Sequence, residues 1–199
     1  QWVPTHFVRM LKLDPEVRTR YDLSSHQRAL HAAAPCPVPI KREMIEWWGP
    51  IINEYYAGSE GVGMTLIKAE DWLTHPGSVG KAIHGTLHVC DAEGEEVPAG
   101  QDGLLYFEND LIPTYHNDPE KTREAMHPKG WMTLGDIGHV DEDGFLYLTD
   151  RKSHMIISGG VNIYPQEIEN LLVTHDKVMD AAVIGAPCPD FGEKVVAVV

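Results

Sequence analysis

The sequence predicts a mixed fold: an α/β layer, then a small antiparallel β-sheet or barrel, then a partial α+β domain. Three changes of pattern along the 199 residues indicate it. Helical segments and a strand end occupy residues 1–75, and short β-rich runs separated by Gly, Pro and acidic turns fill residues 76–150. A strand–helix–strand–strand order occupies residues 151–199. With 43% hydrophobic residues, the chain has enough apolar material for a core.

The first part predicts two helices. Pro4 stands at a first-turn position, and Phe7 and Leu11 are spaced to share one face. Val38–Trp48 repeats this helical pattern and ends at a Gly-Pro stop signal. Between the helices, residues 31–39 (HAAAPCPVP) are too rich in proline and small residues for a helix interior, so we expect a strand end and a loop there.

The middle part predicts antiparallel strands. Thr86–Cys90 and Leu104–Phe107 are β-rich runs bounded by turn residues. The segment Asp141–Gly144 carries an Asp-Gly step, which is a strong hairpin signal. We therefore expect Asp136 and Arg151, which flank this hairpin, to lie near the same end of it.

The last part predicts a small α+β unit. A strand is expected at Met155–Ile157, followed by a glycine pair and by a helix that opens at Pro165 and keeps its apolar spacing as far as His175. Strands at residues 181–184 and 195–199 are expected to pair with each other. The order is thus β-α-β-β.

Composition narrows the function classes. Sixteen basic against thirty acidic residues give a net charge of −14, which repels phosphate backbones, so nucleic acid is not an expected partner. No apolar run reaches the roughly 18 residues of a transmembrane segment, and no signal segment is recognisable, so we expect a cytoplasmic location. The three cysteines lack any CxxC spacing, which predicts reduced thiols.

Two other site types fit the sequence poorly. His84, His88 and Cys90 alternate along one strand face, but no fourth zinc ligand is apparent, and exposed polar residues of a strand explain them more simply. Hydrolysis by a nucleophilic serine is disfavoured because Ser59 lies in AGSEG, which lacks the GxSxG pattern.

The run YYAGSEGVG, residues 55–63, carries groups suited to a nucleotide. Tyr56 offers an aromatic face for adenine, Ser59 a hydroxyl for a phosphate oxygen, and Glu60 a carboxylate for Mg²⁺, which prefers oxygen ligands. An ordinary junction between a strand and a loop explains the run equally well on its own.

Asp136 and Arg151 form the second constellation. An aspartate accepts hydrogen bonds from both ribose hydroxyls, and an arginine presents a rigid, permanently charged fork to sugar or phosphate oxygens. A surface salt bridge across the hairpin is the alternative. The combination with the first run, in one order along the chain, favours nucleotide binding.

Four short motifs follow one another in this sequence: HAAAPCP, YAGSE, LGD and DRKS. The last of them is followed by the run MIISGGVNIYPQEIE. This series resembles the adenylate-forming superfamily of acyl-CoA synthetases, luciferases and peptide-synthetase adenylation domains, most closely its fatty-acyl or aromatic-acyl CoA ligases. The resemblance implies that residues 1–75 are the C-terminal part of the α/β subdomain of a large domain, residues 76–150 a small β-barrel subdomain, and residues 151–199 a partial C-terminal lid domain after a hinge.

The resemblance also implies roles for individual residues. The adenine would be bordered by Ala33, Ala34 and Pro35 and stacked on Tyr56. The nucleotide and Mg²⁺ would be held by Gly58, Ser59 (α-phosphate), Glu60 (metal), Asp136 (ribose) and Arg151 (ribose or phosphate). Of these, Ser59, Glu60 and Arg151 are the catalytic candidates.

The implied reaction converts a carboxylic acid and ATP to an acyl-adenylate and then to a coenzyme A thioester. Gly159 and Gly160 would line the path of the pantetheine after the lid rotates. The hinge residue is left open between Lys152 and Ser153. ATP/AMP, Mg²⁺ and coenzyme A are the implied cofactors, a small carboxylic acid is the implied partner, and an oligomer is possible.

Other features qualify this expectation. The chain starts at Gln1 and ends in a strand pattern, so we expect a fragment that lacks the phosphate-binding loop before it and the lysine after it. Two alternatives stay open: an adenylation enzyme that loads a carrier-protein pantetheine, and a non-catalytic nucleotide-binding or interaction module.

Overall fold

The computed structural model describes all 199 residues as six helices and twelve strands. The helices are α1 Pro4–Leu11, α2 Pro15–Arg18, α3 Val38–Trp48, α4 Ala69–Thr74, α5 Pro119–Glu124 and α6 Pro165–Leu172. The strands are β1 Ala29–His31, β2 Ile52–Ala57, β3 Met64–Ile67, β4 Ser78–His84, β5 Thr86–Cys90, β6 Gly103–Glu108, β7 Met132–Val140, β8 Leu146–Arg151, β9 Ile156–Ser158, β10 Val161–Ile163, β11 Ala182–Cys188 and β12 Gly192–Val198. None of the helices combines the length and the apolarity that a membrane span requires.

The chain forms two compact units. The first comprises residues 1–54, 68–77 and 154–199, and the second comprises residues 55–67 and 78–153. The mixed α/β architecture, with a large sheet and a small antiparallel sheet, confirms the predicted fold class. The predicted domain boundaries at residues 75/76 and 150/151 stay a prediction.

In the first unit, α1 and α3 pack together beside the parallel strands β1 and β2. Both predicted helices are confirmed, and α3 has the predicted bounds because Pro37 precedes its first turn and Gly49 ends it at a φ of 86°. Phe7 and Met44 point into the core and are fully buried. Strand β1 ends at His31, where the loop predicted over residues 31–39 begins.

The C-terminal segment of the first unit is a four-stranded antiparallel sheet in the order β10-β9-β12-β11. The predicted pairing of the last two strands is confirmed, with Ala182 opposite Val198. Two details differ from the prediction. Strand β10, Val161–Ile163, was not expected, so the order is β-β-α-β-β, and helix α6 ends at Leu172 rather than continuing to His175.

The second unit contains six antiparallel strands in the order β3-β4-β8-β7-β6-β5. The predicted strands Thr86–Cys90 and Leu104–Phe107 are confirmed as β5 and as the centre of β6. Its core has two apolar clusters, one around Phe107 and Met132 and one around Leu105 and Leu146. The antiparallel sheet predicted for the middle of the chain is thus present in these six strands, whereas its closure into a barrel is not confirmed.

The hairpin of β7 and β8 positions the residues of interest. Its turn is fixed by Asp141, whose Oδ1 accepts hydrogen bonds from the backbone N–H groups of Asp143 and Phe145 at 3.0 and 2.8 Å. The register pairs Asp136 directly with Arg151. The prediction that these two residues lie near the same end of the hairpin is therefore confirmed.

Gly80 on β4 can only be a glycine. Its φ is 95°, and a Cβ there would lie 2.0 Å from the backbone oxygen of Leu66 on the neighbouring strand. We expect Gly80→Ala to lower the free energy of unfolding by about 2 kcal/mol or more, because left-handed strain and a backbone clash add together. Urea denaturation measures the loss. The matched control is Gly100→Ala, since Gly100 has a φ of 81° but no atom within 4 Å of the added Cβ. Equal losses in the two variants would contradict the clash.

Candidate functional site

Tyr56, Asp136 and Arg151 form one hydrogen-bonded group in the second unit. The Tyr56 hydroxyl donates to Asp136 Oδ2 at 2.6 Å, and Arg151 Nε donates to Asp136 Oδ1 at 3.0 Å. Strand β2 supplies the tyrosine, and the paired strands β7 and β8 supply the aspartate and the arginine. Because Asp136 and Arg151 are opposite each other in the ladder, their side chains share one face of the sheet.

The side chains of this group differ in their exposure to solvent. The Asp136 side chain is 9% exposed and the Arg151 side chain 60%, so the guanidinium reaches solvent while its Nε stays bonded to the carboxylate. Burial, followed by the nearby Asp136 carboxylate, raises the pKa of Tyr56 well above its usual value. The tyrosine therefore remains a hydrogen-bond donor at neutral pH. Together they present an aromatic ring, a carboxylate and a guanidinium within one small area.

The turn after β2 adds Ser59 and Glu60. The backbone N–H of Gly61 donates to the oxygen of Gly58 at 3.1 Å, and this turn leaves Ser59 exposed. A Cβ at Gly58 would lie 2.7 Å from Glu60 Oε2 and 2.7 Å from the Leu134 methyl groups. Only a glycine therefore allows the Glu60 carboxylate and Leu134 to approach the backbone here.

The donor set around Glu60 suits a cation held mainly by a substrate. No group of three or more His, Cys, Asp or Glu side chains that could hold a metal ion is present in the chain. Mg²⁺ is commonly bound through one or two carboxylates and the phosphates of a nucleotide, not by a full protein cage. A single half-buried glutamate fits that kind of site.

Five predicted site residues belong to the first unit. Ala33 has a φ of 77°, unusual for a residue other than glycine, and Ala34 and Pro35 line a cavity of about 200 Å³. Gly159 and Gly160 make the tight turn between β9 and β10, with φ values of 57° and 83°. The other six, Tyr56, Gly58, Ser59, Glu60, Asp136 and Arg151, lie in the second unit.

The histidines weighed as zinc ligands have other contacts. His88 Nδ1 lies 2.7 Å from Glu96 Oε1, and its Nε2 lies 3.3 Å from Glu108 Oε2. Its ring stacks on Trp131 with a centroid distance of 3.6 Å. His84 Nε2 lies 2.8 Å from the side-chain nitrogen of Asn109. His84 lies on β4 and His88 on β5, so they do not share one strand as predicted.

A buried charge cluster in the first unit escaped the sequence reasoning. Lys41 on α3 donates to Glu54 Oε2 on β2 at 2.5 Å, and both side chains are almost fully buried. His31 Nε2 lies 3.3 Å from the same oxygen without hydrogen-bond geometry. The Lys41 ammonium also lies over the ring of Trp72, 4.7 Å from its centroid. The signal was a lysine among the apolar positions of an amphipathic helix.

The other missed residue is Tyr115. Its hydroxyl donates to Glu60 Oε1 at 3.2 Å. The two residues are 55 positions apart in the chain, and no local pattern links them.

Known proteins resemble this chain in sequence. The chain is 35% identical to a 2-succinylbenzoate–CoA ligase of Bacillus cereus over 177 residues. This match covers 88% of the chain and 37% of that ligase. It is 34% identical over 199 residues to a long-chain-fatty-acid–CoA ligase of Bacillus subtilis, covering 98% of the chain and 35% of that ligase. The chain thus spans little more than a third of the length of these relatives.

Solved structures that resemble this fold belong to the same group of proteins. The structure of o-succinylbenzoate CoA synthetase from Bacillus subtilis, in complex with its acyl-adenylate intermediate, superposes with a TM-score of 0.83 at 28% identity over 98% of this chain and 40% of that one. Residues 167–199 match the C-terminal domain of AMP-binding enzymes. Residues 1–114, more than half of the chain, match the AMP-binding enzyme family itself. The chain belongs to the family of AMP-binding enzymes.

Proposed function

We propose that the full-length protein is an ATP-dependent acid–thiol ligase that activates a carboxylic acid as its acyl-adenylate and transfers the acyl group to coenzyme A. The observation that carries the proposal is the convergence of Tyr56, Asp136 and Arg151 beside the Glu60 turn. The names of the related CoA ligases support the reaction class.

In the first half-reaction an oxygen of the substrate carboxylate attacks the α-phosphate of ATP, and pyrophosphate leaves. Asp136 accepts hydrogen bonds from the ribose hydroxyls, and the ring of Tyr56 supports the adenine. Arg151 and the exposed hydroxyl of Ser59 bind the oxygens of the ribose or the α-phosphate. These groups fix the phosphorus in line with the attacking oxygen and stabilise the charge that develops as pyrophosphate leaves.

Glu60 holds Mg²⁺ in this proposal. Gly58 leaves room for this carboxylate beside the backbone. The ion supplies charge neutralisation on the phosphate oxygens when it is bound. The role of Ala33, Ala34 and Pro35 at the adenine stays a prediction.

In the second half-reaction the thiol of coenzyme A attacks the acyl carbonyl, and AMP leaves. The role of Gly159 and Gly160 in admitting the pantetheine stays a prediction. The relatives support coenzyme A as the acceptor, and the carrier-protein pantetheine is the competing acceptor. Purified full-length protein supplied with acid, ATP and either acceptor separates the two, since only one thioester will form.

The catalytic role of Glu60 is tested by Glu60→Gln in the full-length protein. We expect kcat for pyrophosphate release to fall about 10- to 100-fold at fixed Mg²⁺, because an amide oxygen binds the cation more weakly than a carboxylate. A panel of aromatic and fatty acids first identifies a substrate. The matched control is Glu96→Gln, since Glu96 accepts a hydrogen bond from His88 in the same unit.

Two results would contradict the proposal. Absence of acid-dependent pyrophosphate release with every acid, while AMP still binds, would favour a non-catalytic nucleotide-binding module. Equal rates in Glu60→Gln and the control would remove Glu60 from the reaction.

A further inference from the structure

The Tyr115 side chain reaches back to the proposed metal-binding residue from a distant part of the second unit. It stands in the loop before α5, and its hydroxyl donates to Glu60 Oε1 at 3.2 Å. The bond engages Oε1 of the carboxylate and not Oε2.

The backbone of Tyr115 is held in place by the start of α5. Its N–H donates to Thr122 Oγ1 at 2.9 Å, and the Thr122 hydroxyl donates to the oxygen of Asp118 at 2.9 Å. Asp118 caps the helix by accepting from the N–H of Lys121 at 2.9 Å. The position of the tyrosine backbone is therefore set by a connected series of hydrogen bonds.

The ring of Tyr115 is also fixed from both sides. It packs against the apolar cluster that contains Val62, Phe107 and Met132. The Lys121 ammonium lies 4.0 Å from its centroid, a cation–π contact. A side chain restrained in this way holds its hydroxyl at one point and gives up little entropy to do so.

We propose that Tyr115 is a positioning residue that holds the Glu60 carboxylate in the orientation required to bind the divalent cation of a metal–nucleotide complex. The inference rests on the proposed role of Glu60 and adds a residue that acts only through it. Glu60 lies in a turn between Gly58 and Gly61, and glycines by themselves restrict the backbone little. The tyrosine supplies the restraint that the turn lacks.

The test measures binding in the full-length protein without acid, so that no reaction occurs. Binding of Mn²⁺–ATP is followed by the enhancement of water-proton relaxation, and binding of ATP in excess EDTA by calorimetry. We expect Tyr115→Phe to raise the Kd for Mn²⁺–ATP about 3- to 10-fold, the effect of losing one hydrogen bond to a charged acceptor, and to leave the Kd for metal-free ATP unchanged. The variant retains the ring packing and the cation–π contact.

Tyr147→Phe is the matched control. Tyr147 also donates its hydroxyl to a carboxylate, Asp141 Oδ2, at 3.1 Å, in the same unit but on the hairpin turn. We expect this variant to bind Mn²⁺–ATP like the wild type. A second variant, Thr122→Val, removes the anchor of the Tyr115 N–H and should weaken Mn²⁺–ATP binding in the same direction, so the test stands even if Tyr115→Phe fails to fold.

The outcomes separate the inference from the proposed function. Weaker Mn²⁺–ATP binding in Glu60→Gln, with wild-type binding in Tyr115→Phe, would overturn the role of Tyr115 and leave that of Glu60 intact. Unchanged Mn²⁺–ATP binding in Glu60→Gln would overturn both. A lower melting temperature of Tyr115→Phe with unchanged Mn²⁺–ATP affinity would show a purely structural contact and overturn the inference.

Discussion

Asp136→Ala is expected to lower kcat/KM for ATP about 100-fold or more in ATP–pyrophosphate exchange by the full-length protein. Asp136 is the shared acceptor of Tyr56 and Arg151 and the proposed acceptor of the ribose hydroxyls. Each hydrogen bond to its charged oxygens contributes about 1.5–3 kcal/mol, so losing two of them accounts for a factor of this size. The substitution also leaves the guanidinium without the contact that orients it.

Asp102→Ala is the control for this variant. Asp102 Oδ1 accepts from His139 Nδ1 on β7 and from Thr149 Oγ1 on β8, each at 2.8 Å. The variant therefore removes an aspartate that joins the same two strands but does not touch the proposed site. Comparable losses of exchange activity in the two variants would mean that the effect comes from the sheet and not from nucleotide binding.

Lys41→Met is expected to lower the free energy of unfolding by about 3–5 kcal/mol, because it leaves the Glu54 carboxylate buried without its cation. Burial lowers the pKa of Lys41, an effect that the nearby Glu54 partly offsets. Burial alone would raise the pKa of Glu54, but His31 and Lys41 bring it below its usual value. The contact between the two groups thus favours the charged form of each. Urea denaturation followed by circular dichroism measures the loss.

The double variant Lys41→Met/Glu54→Leu isolates the cause. Replacing a buried ion pair by apolar residues of similar size is often close to neutral, so we expect most of the stability to return. Arg18→Met is the surface control, since the Arg18–Glu43 pair has the partners 22% and 50% exposed and contributes about 1 kcal/mol or less. A single variant as mild as this control would contradict the buried pair.

The features that the sequence predicted best have local signals. Helix α3 was predicted with its bounds because its apolar residues share one face and Gly49-Pro50 stops it. The proximity of Asp136 and Arg151 followed from the hairpin turn between them, because turn chemistry is local in the sequence. Their direct pairing also depends on a register shift between Ile137 and Gly138, which the sequence did not indicate.

The features that the sequence analysis missed are short elements, element ends, or contacts between residues far apart in the chain. Strand β10 has three residues, too few for an alternating pattern to be recognised. Helix α6 ends at Leu172 although the apolar spacing continues to His175, because the N–H of His175 closes a turn to the oxygen of Leu172. The contact of Tyr115 with Glu60 depends on the tertiary structure, in which the loop before α5 meets the turn after β2.

Glu54 shows how a buried charge can be overlooked. It occupies an inward position of β2 between Ile52 and Tyr56, where alternation would predict an apolar residue. Its partner Lys41 stands among buried positions of α3 that include Ile40 and Met44. Each charge alone looks like an irregularity of its element. Only the pairing across elements explains both.

The most direct test of the account is a calorimetric titration of this 199-residue chain with AMP and with 2′,3′-dideoxy-AMP. If Tyr56, Asp136 and Arg151 form the nucleotide site, AMP binds and loss of both ribose hydroxyls weakens binding about 100-fold. Equal affinities for the two nucleotides, or no heat with AMP, would contradict the assignment of these three residues to an AMP site.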